Sequence, residues 1–406
     1  MGSLVTEKYV VGQCSCMNID ENIEDVREEF PIFKQLAYMN SAAHGPTLKR
    51  VHDATEQWWK HRMSEEKVEP PNALEEAAKM LHCESSELCY VNRVTQGLNM
   101  VSSMMPLERN DNIVVTDLGY PSNVFVWFPY REKGVEIRRI RHRDGLITHE
   151  DFEKAVDDRT KVVSISRVEW TSSLRYDMRA LSELAHDHGA YLVDDSYQAM
   201  GAIDVDLHDS SVDFFTAGSE KWMCCPAMSG VFYIREGLWD DFDPSYRYYG
   251  NVEEAFASGA PWEKPDHDNH VSYLKPLYRD ARKHYRGCVS EEFHWGYHAA
   301  LEYFNSLGMK NIEKRNMELS QYLLEGLKEH PVKVNTPEEP SKRGALVTYN
   351  TGSPEKNQML YDELKKEGII VAHRYAAGVG GIRVSCHFFN TFEEIDRLLR
   401  VQKRVL

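Results

Sequence analysis

Short apolar runs alternate with amphipathic stretches through the middle of the chain. The runs are rich in β-branched and aromatic residues, as buried strands are, and lie at residues 113–115, 162–165, 191–193, 214–215 and 231–234. Between them, residues 150–156 and 178–188 have helical spacing. Gly189 follows the second stretch as a helix stop, because glycine readily adopts the left-handed conformation. Alternating strands and helices predict an α/β fold with a doubly wound, mostly parallel sheet.

The pattern changes after the fifth run. Residues 239–285 are rich in Tyr, Asp, His and Pro and have little periodicity, which favours a functional loop region bordering a site over a solvated surface excursion. A long helix is predicted at 296–307, and strand patterns follow at 345–350, 369–372 and 382–385. We therefore expect a large domain of residues 45–295 and a smaller α+β domain of residues 1–44 and 296–406.

Composition restricts the partners of the protein. With 406 residues and 42% hydrophobic content the chain can bury a sizeable core, and its formal charge of −16 disfavours nucleic acid and anionic membrane surfaces. No run approaches the ~18 apolar residues of a membrane span, and the N-terminal residues lack the features of a secretory signal. We expect a cytoplasmic protein. The eight cysteines, at positions 14, 16, 83, 89, 224, 225, 288 and 386, lack metal-ligand spacing, so we expect reduced thiols and no metal.

Reactive side chains follow the ends of the predicted strands. Tyr120 comes after the first run, Asp195 and Gln198 after the third, and Lys221 after the fourth. The segment Thr95-Gln96-Gly97 opens a predicted helix, whose free N–H groups and dipole favour a phosphate. Because ligands bind beyond the carboxyl ends of the strands in such sheets, these residues are expected to form one site.

Pyridoxal 5′-phosphate (PLP) chemistry requires this combination of side chains. A lysine forms a Schiff base with the aldehyde, a carboxylate keeps the pyridine nitrogen protonated, an aromatic ring stacks on the cofactor and small donors hold the phosphate. Partial burial and a nearby cationic pyridinium activate such a lysine. We expect Lys221, Asp195 and Tyr120 to be the catalytic residues of a PLP enzyme.

Four segments resemble, in the same order, motifs of the class V aminotransferase superfamily of fold-type I PLP enzymes. This group includes cysteine desulfurases, kynureninase and isopenicillin N epimerase, and the resemblance runs from about Phe30 to the C-terminus. The segments are Gly119-Tyr-Pro-Ser-Asn123, Asp195-Ser-Tyr-Gln198, Lys221-Trp-Met-Cys-Cys-Pro and Gly381-Ile-Arg-Val-Ser-Cys-His-Phe-Phe-Asn-Thr391.

The resemblance assigns roles to individual residues. It implies that Tyr120 stacks on the cofactor, that Asp195 binds the pyridine nitrogen and that Gln198 binds the ring hydroxyl oxygen. Asp194 competes with Asp195 for the pyridine, but the spacing to Gln198 favours Asp195 and leaves Asp194 a structural role. Arg383 is expected to grip the substrate carboxylate through its bidentate fork.

The chain departs from the family around the phosphate and at the partner subunit. The residue before the family's lysine is usually a His that donates to the phosphate, and here it is Glu220; Ser219 and Thr216 then become the local phosphate donors. The family's Gly-Thr pair, which reaches the partner subunit's phosphate, corresponds to Gly287-Cys288. A homodimer with the active site at its interface is expected.

The substrate side departs as well. Where relatives bring Asn or Ser near the cofactor oxygen, this chain has Arg167-Val-Glu-Trp170, so Arg167 and Trp170 are expected to reshape the site. Arg374 and His44 are further candidates for substrate binding. We expect the substrate to be an α-amino acid or an amino-acid-like molecule.

The reaction type depends on a missing thiol. Cysteine desulfurases carry a persulfide-forming Cys on a loop shortly before the carboxylate-binding Arg, but residues 373–381 contain no Cys. Cys386 follows Arg383 by three residues, and strand alternation turns the two side chains to opposite faces. We rank a lyase (β-elimination of C–S lyase type, or decarboxylation) or an epimerase-like enzyme first, a class V aminotransferase second and a cysteine desulfurase third. A non-catalytic binding protein is disfavoured because the Lys-Asp-Gln set is intact.

Overall fold

The computed structural model describes residues 18–64, 69–247, 249–253, 276–287 and 290–406. Its strands are β1 (Ala37–Tyr38), β2 (Leu88–Tyr90), β3 (Asn112–Thr116), β4 (Glu136–Ile140), β5 (Thr160–Ser166), β6 (Tyr191–Asp195), β7 (Phe214–Gly218), β8 (Gly230–Ile234), β9 (Lys333–Val334), β10 (Leu346–Asn350), β11 (Ile369–Ile370), β12 (Ala372–Ala376) and β13 (Val379–Ser385).

Its α-helices are α1 (Ile23–Glu28), α2 (Lys49–Arg62), α3 (Ala73–Leu81), α4 (Val94–Met104), α5 (Pro121–Phe125), α6 (Phe128–Arg131), α7 (His149–Ala155), α8 (Met178–Asp187), α9 (Leu207–Ser210), α10 (Glu291–Leu307), α11 (Met309–Leu327), α12 (Pro354–Lys366) and α13 (Phe392–Val405). Short 3₁₀ helices lie at Pro31–Lys34, Ser85–Glu87, Tyr249–Asn251, Ala281–His284 and Pro340–Lys342.

A seven-stranded sheet with the strand order β2-β8-β7-β6-β5-β3-β4 is the framework of the site. Strands β4, β3, β5, β6 and β7 run parallel to one another. At the other edge β8 pairs antiparallel with β7, and β2 pairs antiparallel with β8. All five predicted runs are strands of this sheet, so the predicted α/β fold is confirmed. The pattern missed β2 and β4, the two edge strands, of which β4 carries Glu136, Arg138 and Arg139. Charged residues suit an edge, since they discourage pairing with another chain.

Alternating side chains bury both faces of the sheet. Phe215 belongs to one hydrophobic cluster together with Leu181 of α8, whereas Phe214 belongs to a second cluster together with Leu98 of α4. Because successive residues of a strand point to opposite faces, helices must cover both sides of such a strand. The helix stop predicted after α8 is also confirmed: Gly189 has a φ of 68° and donates its N–H to the carbonyl of His186.

A four-stranded antiparallel sheet, β12-β13-β10-β9, holds the C-terminal strands, and β1 pairs in parallel with β11. The pattern at 369–372 covers β11 and the start of β12, and α10 extends the predicted long helix toward its N-terminus. The proposed domain boundaries at 45 and 295 stay predictions. Within 239–285, residue 248 and residues 254–275 lie outside the described chain, so the expected functional loop also stays a prediction.

No helix in the described part of the chain is both long enough and apolar enough to cross a membrane.

A turn near the N-terminus packs directly against the segment that carries Lys221. The Gly45 N–H donates to the carbonyl of Glu220 at 2.8 Å. A Cβ added to Gly45 would lie 2.0 Å from the carbonyl oxygen of Lys221 and 3.1 Å from Cα of Cys224. Both atoms belong to the backbone and cannot move independently, so only glycine allows this approach.

The variant Gly45→Ala is therefore expected to lower the free energy of unfolding by about 1–3 kcal/mol, the usual cost of overpacking. Gly326→Ala in α11 is the matched control, because its Cβ meets only the side chain of Leu399. Alanine also favours a helix by up to about 1 kcal/mol over glycine. Urea denaturation measures both variants, and equal destabilisation by the two would contradict the proposed backbone contact.

Candidate active site

Lys221 lies just beyond β7, half-buried between two aromatic rings. Its Nζ is 3.7 Å from the ring centroid of Tyr197 and 5.6 Å from that of Tyr120. Burial lowers the pKa of Lys221, and the neighbouring Arg383 adds to this effect, whereas Asp195 and Glu220 oppose it. A lowered pKa increases the fraction of neutral amine, which is the form that attacks a carbonyl carbon.

Asp195 is the last residue of β6 and is buried. Its Oδ1 accepts a hydrogen bond from the Tyr197 N–H at 3.1 Å. Burial raises the pKa of this carboxyl, while the bond from Tyr197 and the charge of Lys221 lower it. An ionised carboxylate has about four acceptor positions, so Asp195 retains capacity for a second donor such as a pyridinium N–H.

Asp194 points to the opposite face of β6 and forms a buried ion pair. Arg167 donates from Nε to Oδ2 of Asp194 at 2.8 Å, and its Nη2 lies 2.7 Å from the same oxygen. The Ser196 hydroxyl donates to Oδ1 of Asp194 at 2.8 Å. The structural role expected for Asp194 fits this geometry. The expectation that Arg167 reshapes the site is wrong, because its guanidinium pairs with Asp194 on the face away from Lys221.

Gln198 connects the lysine segment to the N-terminal turn. Its Oε1 accepts from Nε1 of Trp222 at 2.8 Å, and its Nε2 donates to the carbonyl of Ala42 at 3.1 Å. A side-chain amide has two N–H donors, so one remains for a ligand oxygen. This spare donor can serve the role expected for Gln198 at the ring hydroxyl oxygen.

Tyr120, Trp170 and Arg383 form the opposite wall of the site. Tyr120 is 42% exposed and meets Trp170 edge-on, with ring centroids 5.4 Å apart. Arg383 donates from Nη1 to the carbonyl of Trp170 at 2.8 Å. Within the described chain, Nε of Arg383 and Nε1 of Trp170 are buried donors without a partner. Buried donors are rarely left unpaired, so these two suit a bound carboxylate.

Arg374 and His44 lie at the exposed margin. Arg374 donates from Nη1 to the carbonyl of His373 at 2.8 Å, and burial together with the charge of Arg374 lowers the pKa of Arg383. The ring of His44 is exposed, and its carbonyl accepts from the Tyr38 hydroxyl at 2.6 Å. Their roles in substrate binding stay predictions.

The first turn of α4 packs on β7 at the side of the site where a phosphate is expected. A Cβ on Gly97 would lie 2.3 Å from Oγ1 of Thr216, so only glycine allows this contact. Thr95 Oγ1 lies 3.0 Å from Ser122 Oγ, and Gln96 Oε1 accepts from the Asn92 N–H at 2.6 Å. The N–H groups at a helix start attract anions.

The other two predicted phosphate donors are already engaged. Thr216 Oγ1 donates to the carbonyl of Val231 at 3.3 Å. Ser219 Oγ donates to the carbonyl of Pro226 at 2.8 Å and lies 2.7 Å from Ser229 Oγ. Both residues are buried, so binding a phosphate would require each to exchange an existing bond. Their roles stay predictions.

Two residues of the site were not predicted from the sequence. Tyr197 lies inside the Asp195–Gln198 motif. Its ring packs on Gly218, where an added Cβ would lie 2.6 Å from Cε2 of Tyr197. Arg93 directly precedes α4 and lies 3.6 Å from Glu220 through Nη1. The available signals were an aromatic residue within the motif and a cation two residues before Thr95. Of the pair predicted at the subunit interface, Cys288 lies outside the described residues.

Comparisons with known proteins identify the family of this chain. The family model for class V aminotransferases matches residues 37–398. The cysteine desulfurase of Salmonella agona (strain SL483) is 28% identical over 420 residues, which cover 94% of this chain and 98% of the relative. The apo structure of a cysteine desulfurase from Thermococcus onnurineus NA1 matches with a TM-score of 0.81 at 22% identity, covering 94% and 97% of the two chains.

A further solved structure is the complex between the cystine C–S lyase C-DES and its reaction product, cysteine persulfide. It matches with a TM-score of 0.80 at 17% identity, and the match covers 92% of this chain and 99% of the C-DES chain.

The fold and the site define a fold-type I enzyme whose cofactor is PLP. The chain belongs to the class V aminotransferase family. Its residues fit the cofactor: the Lys221 amine suits the aldehyde, buried Asp195 suits the pyridine nitrogen, and the spare donor of Gln198 suits the ring oxygen.

The adjacent aspartates of β6 are expected to respond differently to the same substitution. Asp194→Asn leaves the buried Arg167 without a counter-charge and should cost about 3–5 kcal/mol of unfolding free energy. Asp195→Asn removes a carboxyl whose pKa is raised by burial, so the cofactor-free variant should be at least as stable as wild type. This advantage should grow as the pH rises through the raised pKa, because the ionised form is the one that burial penalises.

Asp195→Asn should nevertheless slow exchange of the substrate α-hydrogen for deuterium by about 100-fold or more, the scale of a well-placed proton-holding group. Urea denaturation at pH 5 and pH 8 and α-deuterium exchange measure the two effects. Loss of exchange in Asp194→Asn, with normal exchange in Asp195→Asn, would reverse the assignment.

Proposed function

We propose that this enzyme is a C–S lyase that cleaves the Cβ–S bond of a cysteine-type amino acid by β-elimination. The proposal rests above all on the two-residue turn before Arg383, which leaves no room for the thiol-bearing loop of a desulfurase. The similar proteins named cysteine desulfurases and the cystine C–S lyase of the same fold support a carbon–sulfur bond as the target.

The site has the groups that elimination needs. Bound PLP supplies an electron sink for negative charge at the substrate α-carbon. The Lys221 amine, with its lowered pKa, takes the α-proton at Nζ and can deliver it to the departing sulfur. Cleavage of R–S–CH2–CH(NH3⁺)–COO⁻ with one water gives R–SH, pyruvate and ammonium, so neither an oxidant nor a reductant is required.

Arg383 and Trp170 would hold the substrate carboxylate. The bond from Arg383 Nη1 to the Trp170 carbonyl fixes the guanidinium, and Nε remains a free buried donor. A guanidinium fixed in this way can bind a carboxylate in a single orientation. That orientation determines which substituent of the α-carbon faces Lys221.

The hairpin between β12 and β13 is tight. Ala376 pairs with Val379, so only Ala377 and Gly378 form the turn, with φ angles of 49° and 86°. Two residues with positive φ are typical of a type I′ hairpin, whose geometry is fixed by the strands it joins. The desulfurase route implied by the family resemblance needs a mobile thiol shortly before Arg383, and this turn provides none.

The described thiols are poor nucleophiles. Cys89, Cys224, Cys225 and Cys386 are buried, and Cys83 is half-buried. Burial raises the pKa of all five, that of Cys386 to about 12, so few thiolates are present near neutral pH. Cys386 also packs in the core of the smaller sheet. Cysteines 14, 16 and 288 lie outside the described residues, and the experiment below includes them.

The small-molecule partner under this proposal is a cysteine-derived amino acid, and the protein partner is a second copy of the chain. The homodimer follows from the family resemblance at 287–288 and stays a prediction.

Incubation of the PLP-loaded enzyme with L-cystine and with S-alkyl cysteines should yield pyruvate and ammonia in equal amounts. Intact-mass measurement should show no persulfide on the protein, because no thiol of the enzyme takes part. Cys14→Ser and Cys16→Ser should each retain activity within about twofold, since each removes a thiol outside the proposed chemistry.

Formation of alanine, together with a protein persulfide that disappears in one Cys→Ser variant, would instead establish a desulfurase. Stoichiometric conversion of the amino donor to its keto acid without release of a thiol would establish an aminotransferase. Racemisation of the substrate without release of a thiol would establish an epimerase.

A further inference from the structure

A buried carboxylate lies beside the expected phosphate position. Glu220 is 5% exposed, and its Oε2 has no partner within the described chain. Its backbone is fixed, since the carbonyl accepts from Gly45. An uncompensated buried charge is costly, and a second anion nearby would raise that cost. This position therefore requires a cation if a phosphate is to bind.

Arg93 is that cation. Its Nη1 lies 3.6 Å from Oε1 of Glu220, and its side chain is 54% exposed whereas that of Glu220 is 7% exposed. The guanidinium thus approaches the carboxylate from the open side of the site. An arginine has five N–H donors, so contact with Glu220 leaves several for another anion.

The position of Arg93 in the chain places it at the phosphate end of the site. It is the residue before the first turn of α4, with extended backbone angles of −158° and 159°, and its side chain forms no cap to the helix. Thr95 and Gln96 follow within the first turn. The orphan N–H groups of this turn and the Arg93 side chain therefore favour an anion at the same place.

Tyr197 connects this cluster to the reactive lysine. Its ring lies under Nζ of Lys221, and burial together with the neighbouring Glu220 carboxylate raises the pKa of its phenol. Lys221, Tyr197, Glu220 and Arg93 thus form a continuous series of contacts from the amine to the start of α4. Lys221 lies at one end of this series, and Arg93 lies at the other, beside the start of α4.

We propose that Arg93 binds the phosphate of PLP, that Glu220 holds the Arg93 guanidinium in position, and that Tyr197 anchors Glu220. Arg93 supplies the positive charge next to the helix start, while the predicted donors Thr216 and Ser219 keep their bonds within the protein. Glu220 and Tyr197 are positioning residues that act through Arg93. The proposal concerns cofactor binding and is independent of the reaction that the enzyme catalyses.

The test compares PLP with pyridoxal, which lacks the phosphate. Cofactor-free protein is titrated with each, and the Lys221 adduct is followed by its absorbance. Arg93→Ala should weaken PLP binding by about tenfold or more and leave pyridoxal binding unchanged, because it removes charge-assisted bonds to the phosphate alone. The PLP affinity of Arg93→Lys should lie between those of wild type and Arg93→Ala, since lysine keeps the charge but not the planar fork.

Glu220→Gln and Tyr197→Phe should weaken PLP binding less than Arg93→Ala does. Because Glu220 also raises the pKa of Lys221, the quantity compared is the ratio of PLP to pyridoxal affinity, which should fall in both variants. Arg400→Ala, an exposed arginine of α13, is the matched control and should bind both ligands as wild type does. In wild type, inorganic phosphate should compete with PLP but not with pyridoxal. In Arg93→Ala, added phosphate should no longer weaken PLP binding.

Equal weakening of PLP and pyridoxal by Arg93→Ala would assign Arg93 a purely structural role. Unchanged PLP affinity would exclude it from the phosphate site, and either result overturns the proposal. If Arg93→Ala does not fold, Arg93→Lys and Arg93→Gln provide the same comparison. Because the assay measures binding without turnover, its result does not depend on whether the substrate is cleaved by elimination.

Discussion

The desolvation of the Lys221 amine is the constraint on which the rest of the site depends. A lysine in water is almost entirely protonated at neutral pH and cannot attack an aldehyde, so the enzyme must destabilise its charge. Burial between Tyr197 and Tyr120 does so, and the cation Arg383 adds to it. Asp195 limits the effect by attracting the ammonium form. We expect each group that lowers or raises this pKa to lie around the cofactor as well, so one arrangement of side chains would both tune the amine and hold the cofactor.

Close backbone approaches hold this arrangement together. Gly45 lets the N-terminal turn contact the carbonyl of Lys221, and Gly97 lets α4 contact Thr216 on β7. Gln198 joins the same turn to Trp222, the residue after the lysine. The reactive lysine is therefore fixed by three segments that are distant in sequence. A site of this kind needs the complete large sheet before any of its side chains is in place.

The sequence predicted those site residues whose place follows from their position relative to a strand. Asp195 ends a strand whose apolar pattern is clear, and Gln198 and Lys221 follow such strands. The carboxyl ends of parallel strands bring such residues together. The prediction for Arg167 was wrong because the sequence shows that it follows β5 but not which face it occupies or which charge it meets. Strand β4 was missed because its charged residues suit a sheet edge and conceal the strand pattern. The Tyr197–Glu220–Arg93 cluster joins three separate segments, and no spacing along the chain encodes such a contact.

Covalent attachment of the cofactor to Lys221 is the most direct test of this account. The cofactor-free enzyme is incubated with PLP, reduced with borohydride, digested and mapped by mass spectrometry. We expect a single pyridoxyl group on the peptide that contains Lys221, and none in Lys221→Ala. Attachment at a different lysine, or an unmodified protein after reduction, would contradict it.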